Sequence, residues 1–163
     1  MQSKSKVRRR YIAGKYGQLH LRVSGQPSQK PAIICLHMAP KSGRSFQHLM
    51  PFLASDRLVV APDYPGYGES DCPPEEPHVR VEAYAEAVGE VMTQLNLEAV
   101  NLIGYHTGSM VAVEVARHHP SRVKKLINIS APIFTQSELD HFHQYFAPIA
   151  LDEEGARFRI MWE

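Results

Sequence analysis

Hydrophobic positions along the chain change their period several times. From residue 8 to residue 24, Tyr11, Leu19, Leu21 and Val23 lie between polar neighbours on either side of Gly14-Lys15-Tyr16-Gly17. Alternation of period two about a glycine-containing turn predicts an antiparallel hairpin. Four short, nearly continuous apolar runs follow: Ala32-Ile33-Ile34-Cys35-Leu36, Leu58-Val59-Val60-Ala61, Val100-Asn101-Leu102-Ile103 and Leu126-Ile127-Asn128-Ile129. Runs of this length and composition predict parallel strands covered on both faces.

Between the runs the period becomes helical. Val81, Tyr84, Ala85, Val88, Met92 and Leu95 recur at three- and four-residue spacing, with Glu82, Glu86 and Glu90 opposite, and predict a helix from about residue 79 to 95. A second helix is predicted from about Thr107 to His119, ending before Pro120, and a third from Ser45 to Leu53, interrupted by Pro51. Strands alternating with helices define an α/β class with a mostly parallel sheet and helices on both faces. Right-handed crossovers return each strand beside the last, and sites form at the carboxyl ends of the strands. No internal repeat or linker interrupts the pattern, and the proline-rich loop from Asp71 to Pro77 reads as a connection between elements.

Length and charge narrow the function classes. The chain has 163 residues, room for one domain, whereas α/β enzymes with a full set of site loops usually need ~250. Eighteen Lys and Arg stand against 17 Asp and Glu, so the balance gives no general attraction to nucleic acid or anionic membranes. The local run Lys4, Lys6, Arg8, Arg9, Arg10 reads as a solvated tail leading into an edge strand. No signal core and no stretch of ~20 apolar residues is present, which reads as a soluble, cytoplasmic protein. Cys35 and Cys72 read as reduced thiols. The nine histidines, among them His118-His119 and His141-x-His143, lack the carboxylate or cysteine spacing of a metal site, so neither metal nor cofactor is expected.

Candidate chemistry collects at three strand ends. The first is Leu36-His37-Met38-Ala39-Pro40, and the second is the stretch from Ala61-Pro62-Asp63 through Tyr64-Pro65-Gly66-Tyr67-Gly68-Glu69-Ser70. The third is Gly104-Tyr105-His106-Thr107-Gly108, a strand-to-helix turn with glycines two positions either side of a histidine. A turn that lifts its central side chain above a sheet needs small residues at those flanking positions, as Gly104 and Gly108 are.

In order and placement the three segments resemble the α/β-hydrolase fold superfamily, especially its branch of epoxide hydrolases, haloalkane dehalogenases, esterases and carbon-carbon bond hydrolases. The resemblance covers about residues 8 to 135. In that branch the first segment reads H-G-x-P, the second D-x-P-G-x-G-x-S, and the third G-x-S-x-G or G-x-D-x-G. The resemblance implies an oxyanion hole built from the backbone N–H groups of Thr107 and Met38, with Met38 replacing the usual glycine. It gives His37 a supporting role in the loop, and Asp63 and Ser70 a bracing role beside it.

The departure is His106, which stands where the superfamily places Ser, Cys or Asp. Thr107 and Ser109 follow the turn and do not take its place. A neutral imidazole can attack an electrophilic carbon directly, or serve as general base to water or a substrate hydroxyl; a degenerate elbow that keeps only the fold is the third reading. The resemblance also places a triad acid and histidine after the sixth strand and a cap insertion. Here the sixth apolar run ends near Ser130, and residues 133 to 163, with Leu139, Phe142, Tyr145, Phe146, Phe158 and Trp162, read as the start of a helical cap. Residues 1 to 132 then form the N-terminal part of the core of a longer protein. A sixth strand left at the edge would invite a second copy to associate.

The expectation is a cofactor-free hydrolase of small apolar ester, epoxide or carbonyl compounds. The alternative is a ligand-binding or scaffolding member of the same fold that has lost its nucleophile.

Overall fold

The computed structural model describes residues 5–73 and 80–145. The chain divides into two compact units, Met1–Pro132 and Ile133–Glu163.

The first unit is built on a six-stranded sheet. Arg8–Gly14 (β1) and Gly17–Ser24 (β2) form the expected hairpin, and Ala32–Leu36 (β3), Val59–Pro62 (β4), Val100–Tyr105 (β5) and Val123–Ile129 (β6) follow, in the spatial order β1-β2-β4-β3-β5-β6. The hairpin strands pair antiparallel with each other, and β2 pairs antiparallel with β4; β3 pairs parallel with β4 and β5, and β5 with β6. Among the described residues, the α-helices Met50–Leu53 (α1), Val81–Gln94 (α2) and Thr107–His118 (α3) accompany the sheet.

Alternation along the central strands sorts their side chains into two layers. Ile34, Leu36, Val60 and Leu102 pack with Tyr84, Val88, Val91, Val111 and Val115 of α2 and α3. Ile33, Cys35, Val59 and Ile103 pack on the other face with Phe46 and Met50. The sheet is therefore covered on both faces, which is why β3 and β4 carry no polar residue. Burial in β3 pushes the Cys35 thiol up to about 12, while Cys72 is free and exposed.

Two expectations change in detail. The helix read from Ser45 to Leu53 is two short pieces, a 3₁₀ turn over Gly43–Phe46 and then α1, with Pro51 in the first helical turn, where its missing N–H costs no ladder bond. The strand read as Leu126–Ile129 begins earlier, at Val123, and is not covered on both faces: as the outer strand it leaves Ile127 and Ile129 exposed. Helix α2 ends as Asn96 turns left-handed, with φ 53°.

In the second unit, Gln136–Tyr145 (α4) is a helix whose start is held by Thr135 and Glu138, each bonding the other's backbone N–H or hydroxyl. Phe146, Phe158 and Trp162, invoked for a cap, lie outside the described residues. Among the described residues no helix is long and apolar enough to cross a membrane.

Candidate active site

Strand β5 passes into helix α3 through one residue, His106, at φ 52° and ψ −117°. A side chain with a Cβ at positive φ costs ~1–2 kcal/mol, so the conformation persists only where the surroundings impose it. They do so at both ends. The His106 N–H donates to the Ile129 carbonyl of β6 at 2.8 Å, and its own carbonyl accepts from Ser109 N–H at 2.8 Å. The buried Ser109 hydroxyl spans the bend, donating to the Gly104 carbonyl at 2.9 Å.

The two glycines are required by space. A Cβ on Gly104 would lie 2.6 Å from Ser109 Cα and 2.7 Å from the Gly108 carbonyl carbon. One on Gly108 would overlap the Leu36 carbonyl oxygen and sit 2.6 Å from its carbon and 2.9 Å from the His37 oxygen. Gly108 thus lets α3 rest against the end of β3, and Leu36 pairs in register with Gly104. The bend and the Leu36-His37-Met38 loop are thereby set side by side.

His106 itself is exposed, and its Nδ1 lies 3.4 Å from the Thr107 hydroxyl. Tyr105 and Met110 beside it are also exposed. Thr107 is the first residue of α3, so its N–H has no carbonyl four residues back within the helix to bond.

His37 is fully buried, and its tautomer follows from its partners. The Tyr64 N–H must donate, so Nε2 accepts at 3.3 Å, and Nδ1 carries the proton it donates to the Met38 carbonyl at 3.0 Å. The Tyr64 hydroxyl donates to the His37 carbonyl at 3.1 Å, and the two rings lie 4.0 Å apart. Burial holds the His37 pKa below the usual imidazole value, partly offset by its bond to Met38 and by Asp63. A neutral, doubly bonded imidazole in this position holds the Met38 loop and has no ring nitrogen left for chemistry.

The second segment is organised by the buried Asp63. Its Oδ1 accepts from Gly43 N–H at 2.7 Å, and its Oδ2 accepts from Glu69 N–H at 2.9 Å and faces His20 Nδ1 at 2.9 Å. Ser70 closes the frame by donating its hydroxyl to the Asp63 carbonyl at 2.8 Å and accepting from His20 N–H at 2.9 Å. His20 escaped the sequence reading. It sits between two leucines in an alternating strand, and only the pairing of β2 with β4 brings it to Asp63.

Of the residues singled out from sequence, Gly104, His106, Thr107 and Gly108 lie in one bend, and His37 and Met38 on the adjoining loop. Among the described residues, no three His, Cys, Asp or Glu side chains are grouped as metal ligands.

This architecture has known counterparts. Residues 31–153 match the family model for the alpha/beta hydrolase fold. The chain belongs to that family. It is 32% identical over 120 residues to mouse epoxide hydrolase 4, covering 72% of this chain and 33% of that protein. It is 33% identical over 101 residues to epoxide hydrolase 2 of Siraitia grosvenorii, covering 61% of this chain and 32% of the relative. The chain therefore spans about one third of the length of these relatives. Among solved structures it is similar to an alpha/beta hydrolase from Novosphingobium aromaticivorans, with TM-score 0.75, 23% identity, and coverage of 88% of this chain and 51% of that one. An epoxide hydrolase from Vigna radiata gives TM-score 0.75 at 20% identity, over 86% of this chain and 46% of that one. At these identities the structural likeness concerns the fold.

Proposed function

We propose that this chain carries the elbow and oxyanion loop of a cofactor-free, cytoplasmic hydrolase for small apolar esters, epoxides or carbonyl compounds, with His106 at the reacting centre. One observation carries the reading: an exposed imidazole held at positive φ on a strand-to-helix bend, where the fold presents its reactive side chain. His106 would act as nucleophile on the electrophilic carbon or as base to a water above it, with the N–H groups of Thr107 and Met38 receiving the developing oxyanion. The similarity to epoxide hydrolases supports an apolar substrate class, and the helix within residues 133 to 163 supports reading that segment as the start of a cap.

A ligand-binding member without turnover is the second reading. It is favoured by the imidazole's partner, since Nδ1 meets the neutral Thr107 hydroxyl where a working base is commonly oriented by a carboxylate.

The test compares hydrolysis of a panel of activated esters and epoxides by wild type, His106→Ala and His106→Ser. Turnover lost in His106→Ala supports a catalytic imidazole, and equal rates remove His106 from the chemistry. Esterase activity gained in His106→Ser, with none in wild type, would support a working oxyanion hole and the binding reading for the native chain.

A further inference from the structure

From Lys6 onward the basic run at the start of the chain stays exposed and leads into the edge strand, where its side chains are sorted to two faces. Residues Arg8, Arg9 and Arg10 are the first three of strand β1, locked in register with Val23, Arg22 and Leu21. Strand alternation separates them. Arg9 turns to Glu69, bonding its carboxylate at 3.1 Å, and Arg22 joins the same carboxylate at 3.4 Å. Arg8 and Arg10 lie on the opposite face, that of the buried Ile12, and among the described residues no acid pairs with either.

They border a cavity of about 620 Å³. Lys6, Arg8 and Arg10 line it, together with Arg9, whose guanidinium is engaged by Glu69, and Gln26, Gln94 and Asn96 supply amides; among the described residues no carboxylate lines it. Leu58, just before β4, and Asn96, just after α2, place the cavity at the amino ends of the parallel strands. His106 follows the carboxyl end of β5 and is therefore at the other end of the sheet.

We propose that this cavity binds a small polyanion of the polyphosphate or polycarboxylate class. Its volume is that of a small-molecule site, ~300–1,000 Å³. The carbonyl end of α2 contributes a negative charge of only about one half, against three full positive charges. Like charges two residues apart on one strand face, as on Arg8 and Arg10, repel one another until a counter-charge binds, and guanidinium forks suit planar carboxylate or phosphate oxygens. The site is unsuited to nucleic acid, because among the described residues no aromatic ring lines it to stack a base.

The experiment is calorimetric titration of the chain with tripolyphosphate and, separately, citrate, at low and at physiological salt. One-to-one saturation is expected, weakened by salt. The double variant Arg8→Ala/Arg10→Ala should lose at least ~10-fold in affinity, while Arg44→Ala, which removes one positive charge elsewhere and is matched by Arg10→Gln, should change it less than ~2-fold. Arg10→Gln alone keeps the strand's hydrogen bonds and should lose ~3-fold, so the proposal stays testable if the double variant fails to fold. Saturation by one anion and not the other assigns the ligand to phosphate or carboxylate. The proposal is overturned by no saturation, by equal losses in Arg44→Ala, by more than one bound anion, or by tighter binding to single-stranded DNA or phosphatidylserine vesicles.

Discussion

Replacing Gly108 by alanine sets two physical effects against each other. Gly108 lies in the first turn of α3 at an ordinary helical φ, so propensity alone would make the alanine variant more stable by up to ~1 kcal/mol. The added Cβ, however, would overlap the Leu36 carbonyl oxygen and stand 2.6 Å from its carbon. Those atoms are backbone at the end of β3, in register with Gly104 of β5, and cannot rotate away as a side chain would. Restoring ordinary contact needs ~1 Å of movement between α3 and β3, and overpacking of this kind costs typically ~1–3 kcal/mol. The same movement strains the 2.9 Å bond from Ser109 to Gly104, putting a further ~1 kcal/mol at risk. The overlap wins, and a net loss of about 2 kcal/mol is expected, or roughly 4–8 °C in Tm for a chain of this size. Urea melts followed by circular dichroism measure it. Gly66→Ala is the control, because there, among the described residues, the Cβ meets only Pro73 at 3.5 Å and the cost is that of φ +80°, ~1–2 kcal/mol. If Gly108→Ala proved as stable as wild type, or cost less than Gly66→Ala, the close seating of α3 on β3 would be refuted.

Two further outcomes follow from the supporting residues. Asp63→Ala leaves the buried Gly43 N–H, the part-buried Glu69 N–H and the buried His20 imidazole without their acceptor, and should cost about 3–5 kcal/mol, measured by the same melts. His37 has a lowered folded-state pKa, so the unfolded chain binds the extra proton as pH falls through the ordinary imidazole range. Its contribution is therefore complete above about pH 7 and declines toward pH 5, by at most ~1.4 kcal/mol per pH unit, and melts of His37→Gln should show a shallower fall over that window.

Much of this architecture is legible in the sequence, because period and composition report burial directly. The hairpin about Gly14 and Gly17 and the runs at β3 and β5 each carry a single dominant pattern, and Gly104-x-His106-x-Gly108 announces its bend through the two residues that must lack a Cβ. What stays hidden depends on partners distant in the chain. His20 reads as any polar residue in an alternating strand until β2 meets β4. The start of β6 is obscured by Lys124 and Lys125, which an outer strand tolerates and a covered one would not. The split near Pro51 turns on where a proline falls within a helical turn, which spacing leaves open.

The central claim is that the bend raises the His106 imidazole into solvent above the end of the sheet, and its accessibility to diethyl pyrocarbonate tests this most directly. Peptide mapping by mass spectrometry follows each histidine at neutral pH. His106 should be modified on the timescale of the exposed His48, far ahead of His20 and His37, which are fully buried in the same molecule. Modification of His106 as slow as that of His20 and His37 would contradict the account.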